Sequence, residues 1–447
     1  MPQIPVFTPE EVRALQAGLA GHREPGAYEP GKWMVSPLNR RPDVLGRAFP
    51  ASATLRDITL RTTEQMPGVV LAAEDRQRLL RAIVEAGVPS VQLSAFRRGR
   101  SLADMRAEVE AVKRLNPSCE VVYGHATSRE DVALAAEAGI DGVQFWAAPY
   151  VEAAPLFAGV YEKAWRDEDW RASWVARTVE AQIAQARGLV VAGKELGVRV
   201  SVGINQLPFA SEAYVTRYCR ALRECGAPEI VLYDGPSGVG PEAYAYLVGL
   251  VKAEAPGAVV GVHTHNMFDL AVANACAAVR AGAEVLEVSV NGYCSASGQA
   301  DLAATALALT AMYGVETGVA LPRLTPLARL AEDLTGYRVA WNNPVTGLEV
   351  FNWGGTEFVI QELKVDPLIH WCIEPTLVGN ERRWDITADS GPYTMLDKLE
   401  ALGVRVDLAL VEPILEATKQ EMRRRRRVLT DDEVRGLARA VAERSGS

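Results

Sequence analysis

The sequence of 447 residues lacks the features that mark a secreted or membrane-spanning protein. No apolar run has the length of a membrane span, and residues 1–5 lack the basic and apolar regions of a signal peptide. The six cysteines show no C-x-x-C spacing, which in a chain of this size indicates reduced thiols rather than a disulfide framework. We therefore expect a cytoplasmic protein that has no membrane partner.

The chain also lacks an excess of positive charge. It has 47 Lys and Arg residues against 56 Asp and Glu residues, a net charge of -9. Nucleic acids and anionic membranes are bound by clustered positive surfaces, so this composition favours small-molecule substrates and predicts no nucleic-acid partner. The five adjacent arginines at residues 423–427 follow Glu421, and we interpret them as a solvated helix face or a subunit contact.

Short apolar segments alternate with amphipathic helices from Thr54 onward, which is typical of βα units around a parallel sheet. The predicted strands are residues 54–60, 90–93, 120–123, 142–146, 199–203, 229–233, 258–262 and 285–290. The predicted helices between them include residues 73–86, 102–115, 178–196, 211–225, 241–255 and 270–281. Eight such units predict an α/β protein built on a (β/α)₈ TIM barrel, whose active site lies at the C-terminal ends of the strands.

The barrel is predicted to be one of four segments. Residues 1–50 form an N-terminal extension with a helix that Thr8 caps, and residues 51–318 form the catalytic barrel. Residues 319–392 form a small irregular linker module, and residues 393–447 form a helical C-terminal module.

A pair of histidines ends the seventh predicted strand. His263 and His265 are one residue apart, so on a strand their side chains share a face. Two neighbouring imidazoles at the end of a barrel strand can supply two ligands of a metal ion. The alternative is a polar strand terminus with ordinary surface histidines.

Further polar groups follow other predicted strands. Arg61, just after the first strand, offers paired donors to a substrate carboxylate or to an enolate oxygen, and its alternative role is a salt bridge to Glu64. His125 follows the third strand and is a candidate acid or base. Cys294 lies in a glycine-rich loop after the eighth strand, where a thiol can act in carbon-carbon cleavage or simply pack the loop.

Several of these segments resemble one family. Residues 57–68, D-I-T-L-R-T-T-E-Q-M-P-G, resemble the D-T-T-L-R-D-G-E-Q-x-P-G signature of the 2-isopropylmalate, homocitrate and citramalate synthases, in the DRE-TIM metallolyase superfamily. Residues 263–274 are similar to that family's H-x-H-N-D-x-G-x-A-V-A-N segment, and residues 291–299 lie where it carries N-G-x-G-E-R-A-G-N. Beyond the barrel, residues 343–347 and 385–391 resemble its N-K-P-I-V-G and G-K-H-S-G segments.

The resemblance implies a divalent metal in the barrel mouth, namely Zn²⁺, Mn²⁺ or Mg²⁺, which would act on the ketone of a 2-oxo acid as a Lewis acid. By matching position, His263 and His265 would bind this metal, together with Gln299. It also implies an acyl-CoA co-substrate and a homodimer.

Catalytic roles are implied for three residues of the first motif. Arg61 would stabilise the oxyanion, and Glu64 and Gln65 match the family pattern as well. The residues predicted to bind substrate are Asp234, Asn266 and Asn291.

The chain departs from the family pattern mainly at polar positions of the site. Thr62 replaces the acidic metal ligand, and Gln299 replaces an asparagine ligand. Gly203 and Ile204 stand where the family carries Glu-Asp, and residues 353–358 replace its H-E-S-G-I-H segment. A hard cation such as Mg²⁺ loses its charged partner through the first change, whereas two imidazoles and an amide can hold a softer ion.

Three functions are compatible with these residues. The leading hypothesis is an acyltransferase that forms a carbon-carbon bond by Claisen-type condensation of an acyl-CoA with a 2-oxo acid or related carbonyl. The second is a retro-aldol or retro-Claisen lyase of the hydroxymethylglutaryl-CoA lyase type, which Cys294 would favour. The third is a catalytically degenerate protein that depends on a partner, since an acidic ligand and a base are replaced.

Overall fold

Eight parallel strands close into a barrel in which the last strand pairs with the first. The computed structural model describes residues 7–96, 100–147, 179–354 and 357–444. The barrel strands are β1 (Thr54–Asp57), β2 (Ser90–Ala95), β3 (Glu120–Gly124), β4 (Gly142–Ala147), β5 (Arg199–Ile204), β6 (Glu229–Asp234), β7 (Val259–Thr264) and β8 (Val285–Val288). The predicted TIM barrel is therefore confirmed.

Helices follow the strands along the chain: six lie at the predicted ranges, and Arg129–Ala138 and Leu302–Leu307 lie outside them. The barrel helices are α1 (Ala73–Glu85), α2 (Leu102–Leu115), α3 (Arg129–Ala138), α4 (Val179–Leu196), α5 (Glu212–Glu224), α6 (Pro241–Glu254), α7 (Ala271–Ala281) and α8 (Leu302–Leu307). Side-chain hydrogen bonds fix several helix starts: Ser101 and Ser128 each close a capping box at the first turn of α2 and α3.

The first strand is shorter than predicted, and the difference moves Arg61. Strand β1 ends at Asp57, and residues Thr59–Thr63 form a short helix. The strand ends there because the buried Asp57 carboxylate accepts hydrogen bonds from the Thr59 backbone N–H (3.0 Å) and hydroxyl (2.8 Å), which turns the chain. Burial raises the pKa of Asp57 to about 7. Arg61 therefore extends from a helical turn above the barrel, whereas the prediction placed residues 54–60 in a strand.

The lower end of the barrel is filled by an ionic layer rather than by apolar side chains. Arg56 is fully buried and donates two hydrogen bonds to Glu229, at 2.6 and 3.0 Å. Its guanidinium also donates to Glu120 and to the Ser90 hydroxyl. Glu120, Ser90 and Glu229 each begin a strand, so this layer lies at the N-terminal ends of the strands, away from the mouth.

A second polar layer lies above the first. The Tyr233 hydroxyl donates to Gln144 Oε1 (2.9 Å) and to Glu287 Oε1 (3.0 Å), and Gln144 Nε2 donates to the same glutamate oxygen (2.5 Å). Gln92 in turn contacts Gln144. All four side chains are buried, so the barrel interior is a column of polar groups that ends at the mouth.

The chain divides into two compact units, residues 38–339 and a second unit of residues 1–37 with 340–447. The first unit extends past the predicted limit at residue 318, because helix Leu324–Thr335 packs against α1. The second unit joins residues 1–37 to residues 340–447, that is, to most of the module predicted at residues 319–392 and all of the module predicted at residues 393–447.

The second unit contains five α-helices within the described residues. Its helices are Pro9–Ala20, Glu357–Val365, Pro392–Ala401, Leu408–Arg425 and Asp431–Arg444. The predicted Thr8 cap is present as a capping box with Glu11. Met395, Val411 and Ile414 form part of a buried core among the last three helices. In the described ranges, no helix is long and apolar enough to cross a bilayer.

The arginine run in this unit makes ion pairs with two glutamates. Arg424 and Arg425 pair with Glu421, and Arg425 and Arg427 pair with Glu433 of the next helix. These pairs fit the interpretation of an exposed charged face.

Candidate active site

The loops at the C-terminal ends of the barrel strands are conformationally strained. Non-glycine residues with positive φ follow five of the strands, and they are His125, Gln206, Ser237, Asp269, Asn291 and Ala296. Such backbone costs free energy and persists where surrounding contacts enforce it, most often around functional sites. This strain is concentrated at the mouth of the barrel, where the active sites of this fold lie.

His263 is held in one orientation by a buried carboxylate. Its Nδ1 lies 2.9 Å from Glu287 Oε2, while the other oxygen of Glu287 accepts from Tyr233 and Gln144. Burial raises the pKa of Glu287, but the hydrogen bond and charge of His263 and the charge of Arg56 outweigh it and bring the value to about 2. Burial lowers the pKa of His263, so a neutral ring donates Nδ1–H to an ionised Glu287. The lone pair is then on Nε2.

His265 lies beside this ring, with 4.9 Å between the ring centroids. Burial lowers the pKa of His265 to about 3, and the charges of His263 and Arg61 act in the same direction. Gln299 pairs with His265 across an antiparallel bridge, so their side chains lie on the same side. Within the described part of the chain, His265 Nδ1 and both amide atoms of Gln299 are buried without a hydrogen-bond partner.

Arg61 shares the space of the two imidazoles. Its guanidinium carbon lies 5.2 Å from the ring centroid of Trp146, and its charge lowers the pKa of both His263 and His265. The His125 ring meets Trp146 edge to face, with centroids 3.6 Å apart. The structure therefore brings together Arg61, His125, His263 and His265, four of the residues that the sequence singles out.

Two other residues of the Arg61 motif are directed elsewhere. The Thr62 hydroxyl donates to the carbonyl oxygens of Ile58 (3.1 Å) and Thr59 (3.2 Å) within its own helical turn. The Glu64 carboxylate accepts from Arg76 (2.9 Å) and Arg100 (2.7 Å) in an ion-pair cluster beside the mouth. The catalytic role expected of Glu64 stays a prediction.

Two predicted substrate-binding residues shape their own loops. The Asp234 carboxylate accepts from the backbone N–H groups of Gly238 (3.0 Å) and Val239 (2.8 Å). Asn266 Oδ1 accepts from the backbone of Ala271 (3.0 Å), at the first residue of α7. These contacts hold the loops after β6 and β7, and direct substrate binding by either side chain stays a prediction.

The loop after β8 carries the remaining predicted residues. Asn291 Nδ2 donates to the Ala328 carbonyl (3.1 Å), which ties this loop to a later helix. Cys294 Sγ lies 4.0 Å from Gln65 Oε1. Burial raises the pKa of the Cys294 thiol, although the charge of Arg61 partly offsets this. The thiol is therefore protonated at neutral pH, and its catalytic role stays a prediction, as does that of Gln65.

The kinds of donor atom at the mouth determine which metal ion could bind there. Among the described residues, no group of three or more His, Cys, Asp or Glu side chains is placed to hold a metal ion. His263, His265 and Gln299 supply imidazole and amide donors without a carboxylate, and the Arg61 charge lies beside them. A hard cation such as Mg²⁺ requires charged oxygen ligands, so these residues do not fit it. A softer ion at the imidazole pair stays a prediction.

Sequence reasoning missed three residues that organise the site, namely Glu287, Tyr233 and Trp146. Each lies on a predicted strand. A signal existed for Glu287: it is the charged residue of an otherwise apolar strand that leads into a loop of the family motif. A charged side chain does not face an apolar core without a partner. Its partner, His263, comes from a neighbouring strand and is not visible as a motif.

Glu287→Gln is expected to lower turnover by about 10- to 100-fold, because the amide no longer fixes the neutral tautomer of His263 with a charge. ¹⁵N NMR of the His263 ring should show a shift from the Nδ1–H form towards a mixture of tautomers. Glu284→Gln is the matched control, since the half-exposed Glu284 pairs with Lys252 and accepts from the Val260 N–H at the start of β7, at the opposite end of the strand from the mouth. An unchanged tautomer together with unchanged turnover would remove Glu287 from the site.

A family model described as HMGL-like matches residues 53–331, well over half of the chain. The chain belongs to the HMGL-like family. The matched region begins just before β1 and ends within the helix that follows the barrel, so it includes every mouth residue described above.

This HMGL-like chain has synthases among its relatives. It is 29% identical over 365 residues to the 2-phosphonomethylmalate synthase of Streptomyces rubellomurinus, across 82% of this chain and 92% of that protein. It is 29% identical over 402 residues to a homocitrate synthase of Methanopyrus kandleri, across 89% of this chain and 94% of the relative. These findings confirm the family resemblance seen in the sequence.

The solved structures show the same fold. The HMG-CoA lyase of Bacillus subtilis superposes with a TM-score of 0.55 at 17% identity, across 68% of this chain and 99% of the lyase. The HMG-CoA lyase of Brucella melitensis gives a TM-score of 0.53 at 19% identity, across 64% of this chain and 100% of that chain. At such identity the likeness concerns the barrel alone.

Proposed function

We propose that the protein is an enzyme that joins an acyl-CoA to a 2-oxo acid by Claisen-type condensation. The observation that carries the proposal is the grouping of one buried cation, Arg61, with two neutral imidazoles at the mouth of the barrel. Relatives named as synthases support the direction of bond formation.

The site supplies the two elements that the reaction needs. His263 Nε2, whose lone pair is maintained by Glu287, takes a proton from the α-carbon of the acyl group and leaves an enolate. The α-carbon forms a bond to the ketone carbon of the 2-oxo acid, and the ketone oxygen becomes an alkoxide. Arg61 donates to this oxygen while it carries charge. The alkoxide takes up the proton that His263 holds, which restores the neutral imidazole, and water cleaves the thioester to release CoA and a carboxylic acid.

The proposal is tested by measuring free CoA thiol with acetyl-CoA and a set of 2-oxo acids, with product mass determined by mass spectrometry. We expect CoA release that requires both substrates, with one condensed acid formed per CoA. CoA release at the same rate without the 2-oxo acid would contradict the proposal. If neither substrate binds by calorimetry, the catalytically degenerate alternative is favoured.

The lyase reaction is the second candidate, and one observation favours it. The Cys294 thiol is buried in the loop after β8, near Gln65 and within the field of Arg61. A thiol at this position can serve as the acid or base in cleavage of a hydroxyacyl-CoA.

Cys294→Ala separates the two reactions. If the protein is a synthase, the variant should retain kcat/KM for condensation within about threefold, since the thiol serves only to pack the loop. Cleavage of a 3-hydroxyacyl-CoA by the wild type, with a loss of two orders of magnitude or more in the variant, would identify a lyase instead. Cys219→Ala, in the buried face of α5, is the matched control.

We also propose that the protein acts in the cytoplasm as a homodimer. Analytical ultracentrifugation of the purified protein tests the oligomeric state. Metal analysis of the same sample tests whether a softer ion binds at His263 and His265; a bound ion would take the His263 Nε2 lone pair and would rule out this nitrogen as the base.

A further inference from the structure

Trp146 occupies the barrel mouth in a notch made by two glycines. It lies on β4, two residues beyond Gln144, so its side chain points into the barrel on the same face. On the neighbouring strand β5, a Cβ added at Gly203 would lie 2.9 Å from Trp146 Cδ1 and 2.6 Å from Tyr233 Cε2. On β3, a Cβ at Gly124 would lie 3.6 Å from Trp146 Cζ2. The indole therefore uses the space that a side chain at position 203 would otherwise fill.

The indole is fixed in place from several sides. The Arg61 guanidinium lies over one part of its ring system, the His125 ring meets it edge to face, and the Tyr233 ring centroid is 5.4 Å away. Tyr233 is itself anchored to Gln144 and Glu287. A ring held by this many contacts forms a rigid wall, because moving it would disturb the residues that orient the site.

The indole N–H is the polar group of this wall. Trp146 Nε1 is buried, and within the described ranges nothing accepts a hydrogen bond from it. Buried N–H groups of native proteins nearly always have a partner, so this N–H is a suitable donor to a ligand oxygen. His265 Nδ1 and the Gln299 amide, which lie in the same mouth, are likewise without partners among the described residues. These groups and Arg61 suit a ligand that carries several oxygen atoms and negative charge.

We propose that Trp146 determines which substrate the site accepts: its ring limits the substrate to a short, unbranched 2-oxo acid, and its N–H donates to an oxygen of that acid. The inference rests on the proposed function, because it names the class of 2-oxo acid in that reaction. Large branched substituents are excluded by the rigid ring, since its displacement would also displace Arg61 and Tyr233.

The test compares kcat/KM for pyruvate and for 2-oxoisovalerate, each with acetyl-CoA, in the wild type and two variants. The wild type should prefer pyruvate by at least about tenfold, the size of effect that steric selection by a pocket gives. Trp146→Ala removes the wall and should shift the ratio towards 2-oxoisovalerate by about tenfold or more. Trp146→Phe keeps most of the wall but lacks the N–H, so it should keep the preference and lose about tenfold in kcat/KM for both acids.

Tyr246→Ala is the matched control, because Tyr246 is an exposed aromatic residue on α6 outside the barrel, and it should leave both values unchanged. Thermal unfolding of each variant shows that it is folded. An unchanged pyruvate to 2-oxoisovalerate ratio in folded Trp146→Ala would overturn the inference.

Binding separates this inference from the proposed function. If the wild type turns over neither acid, the proposed function fails, and calorimetric titration of both acids into the wild type and Trp146→Ala still measures selection. Tighter binding of pyruvate by the wild type, lost in the variant, would support the role of Trp146. Equal binding in both proteins, or binding of neither acid, would overturn it.

Discussion

Replacing Arg61 with alanine is expected to lower kcat/KM for the condensation by about 10²- to 10³-fold. The guanidinium is buried at the mouth, and its charge acts on both imidazoles, so it is placed to meet the oxyanion that forms on the ketone. Steady-state measurement of CoA release gives the effect. The kcat/KM of Arg61→Lys should lie between the values of the wild type and Arg61→Ala, because lysine keeps the charge but loses the paired donors.

The control for this prediction is Arg78→Ala. Arg78 is exposed on α1 and pairs with Asp75, so its loss should leave turnover unchanged. Because Arg61 is buried, the thermal unfolding of each variant must be measured as well. A folded Arg61→Ala protein with wild-type kcat/KM would show that Arg61 does not act on the reacting oxygen.

Arg56→Met is expected to cost the barrel about 3 to 5 kcal/mol of unfolding free energy. Arg56 is fully buried and neutralises Glu229 through two hydrogen bonds, with Glu120 and Glu287 also near its guanidinium. Methionine fills much of the volume but removes the buried cation, so Glu229 keeps only the partly exposed Arg199, 3.2 Å away, as a counter-charge. Urea unfolding followed by tryptophan fluorescence, with the barrel transition analysed separately, measures the loss.

A double variant tests the reason for this loss. Adding Glu229→Gln to Arg56→Met removes the uncompensated charge and should recover a large part of the free energy. A single variant that loses less than about 1 kcal/mol would mean that water or other groups satisfy these carboxylates.

The barrel itself was predictable from the sequence because its signals are local and repeated. Apolar segments at Ser90–Ala95 and Arg199–Ile204, for example, stand between amphipathic helices with clear caps and stops. The end of β1 was not predictable in the same way. Residues 58–60 have an apolar, β-favouring appearance, and only the hydrogen bonds from Thr59 to Asp57 show that the chain turns into a helix there.

The sequence was enough to predict which residues form the candidate site, but not which groups their side chains bind. Motif similarity located Arg61, His263 and His265, which the fold then brings together. It could not show that Asp234 and Asn266 are bonded to their own loops, because those bonds depend on the backbone path after each strand.

Glu287 and Trp146 illustrate a second limit. Both lie inside predicted strands, and their roles come from residues on other strands: His263 for the glutamate, and Gly124 and Gly203 for the tryptophan. Side-chain volume and charge in a closed barrel are balanced across strands that are far apart in sequence. A pattern read along one strand does not contain this information.

The polar interior gives the site a physical basis. Arg56 lies 3.7 Å from Glu287, and Glu287 in turn contacts Tyr233, Gln144 and His263. One network of polar contacts therefore connects the lower barrel to the mouth. Such a network rigidifies a site when its members are satisfied, and it fixes which nitrogen of His263 carries the proton.

The most direct test of the central claim is a crystal structure of the protein with a bound 2-oxo acid. An oxygen of the acid should lie within about 3.2 Å of the Arg61 guanidinium, with the ketone carbon on the side of His263 Nε2. Density for the acid away from Arg61 and the imidazole pair, in a crystal soaked well above the KM, would contradict the account.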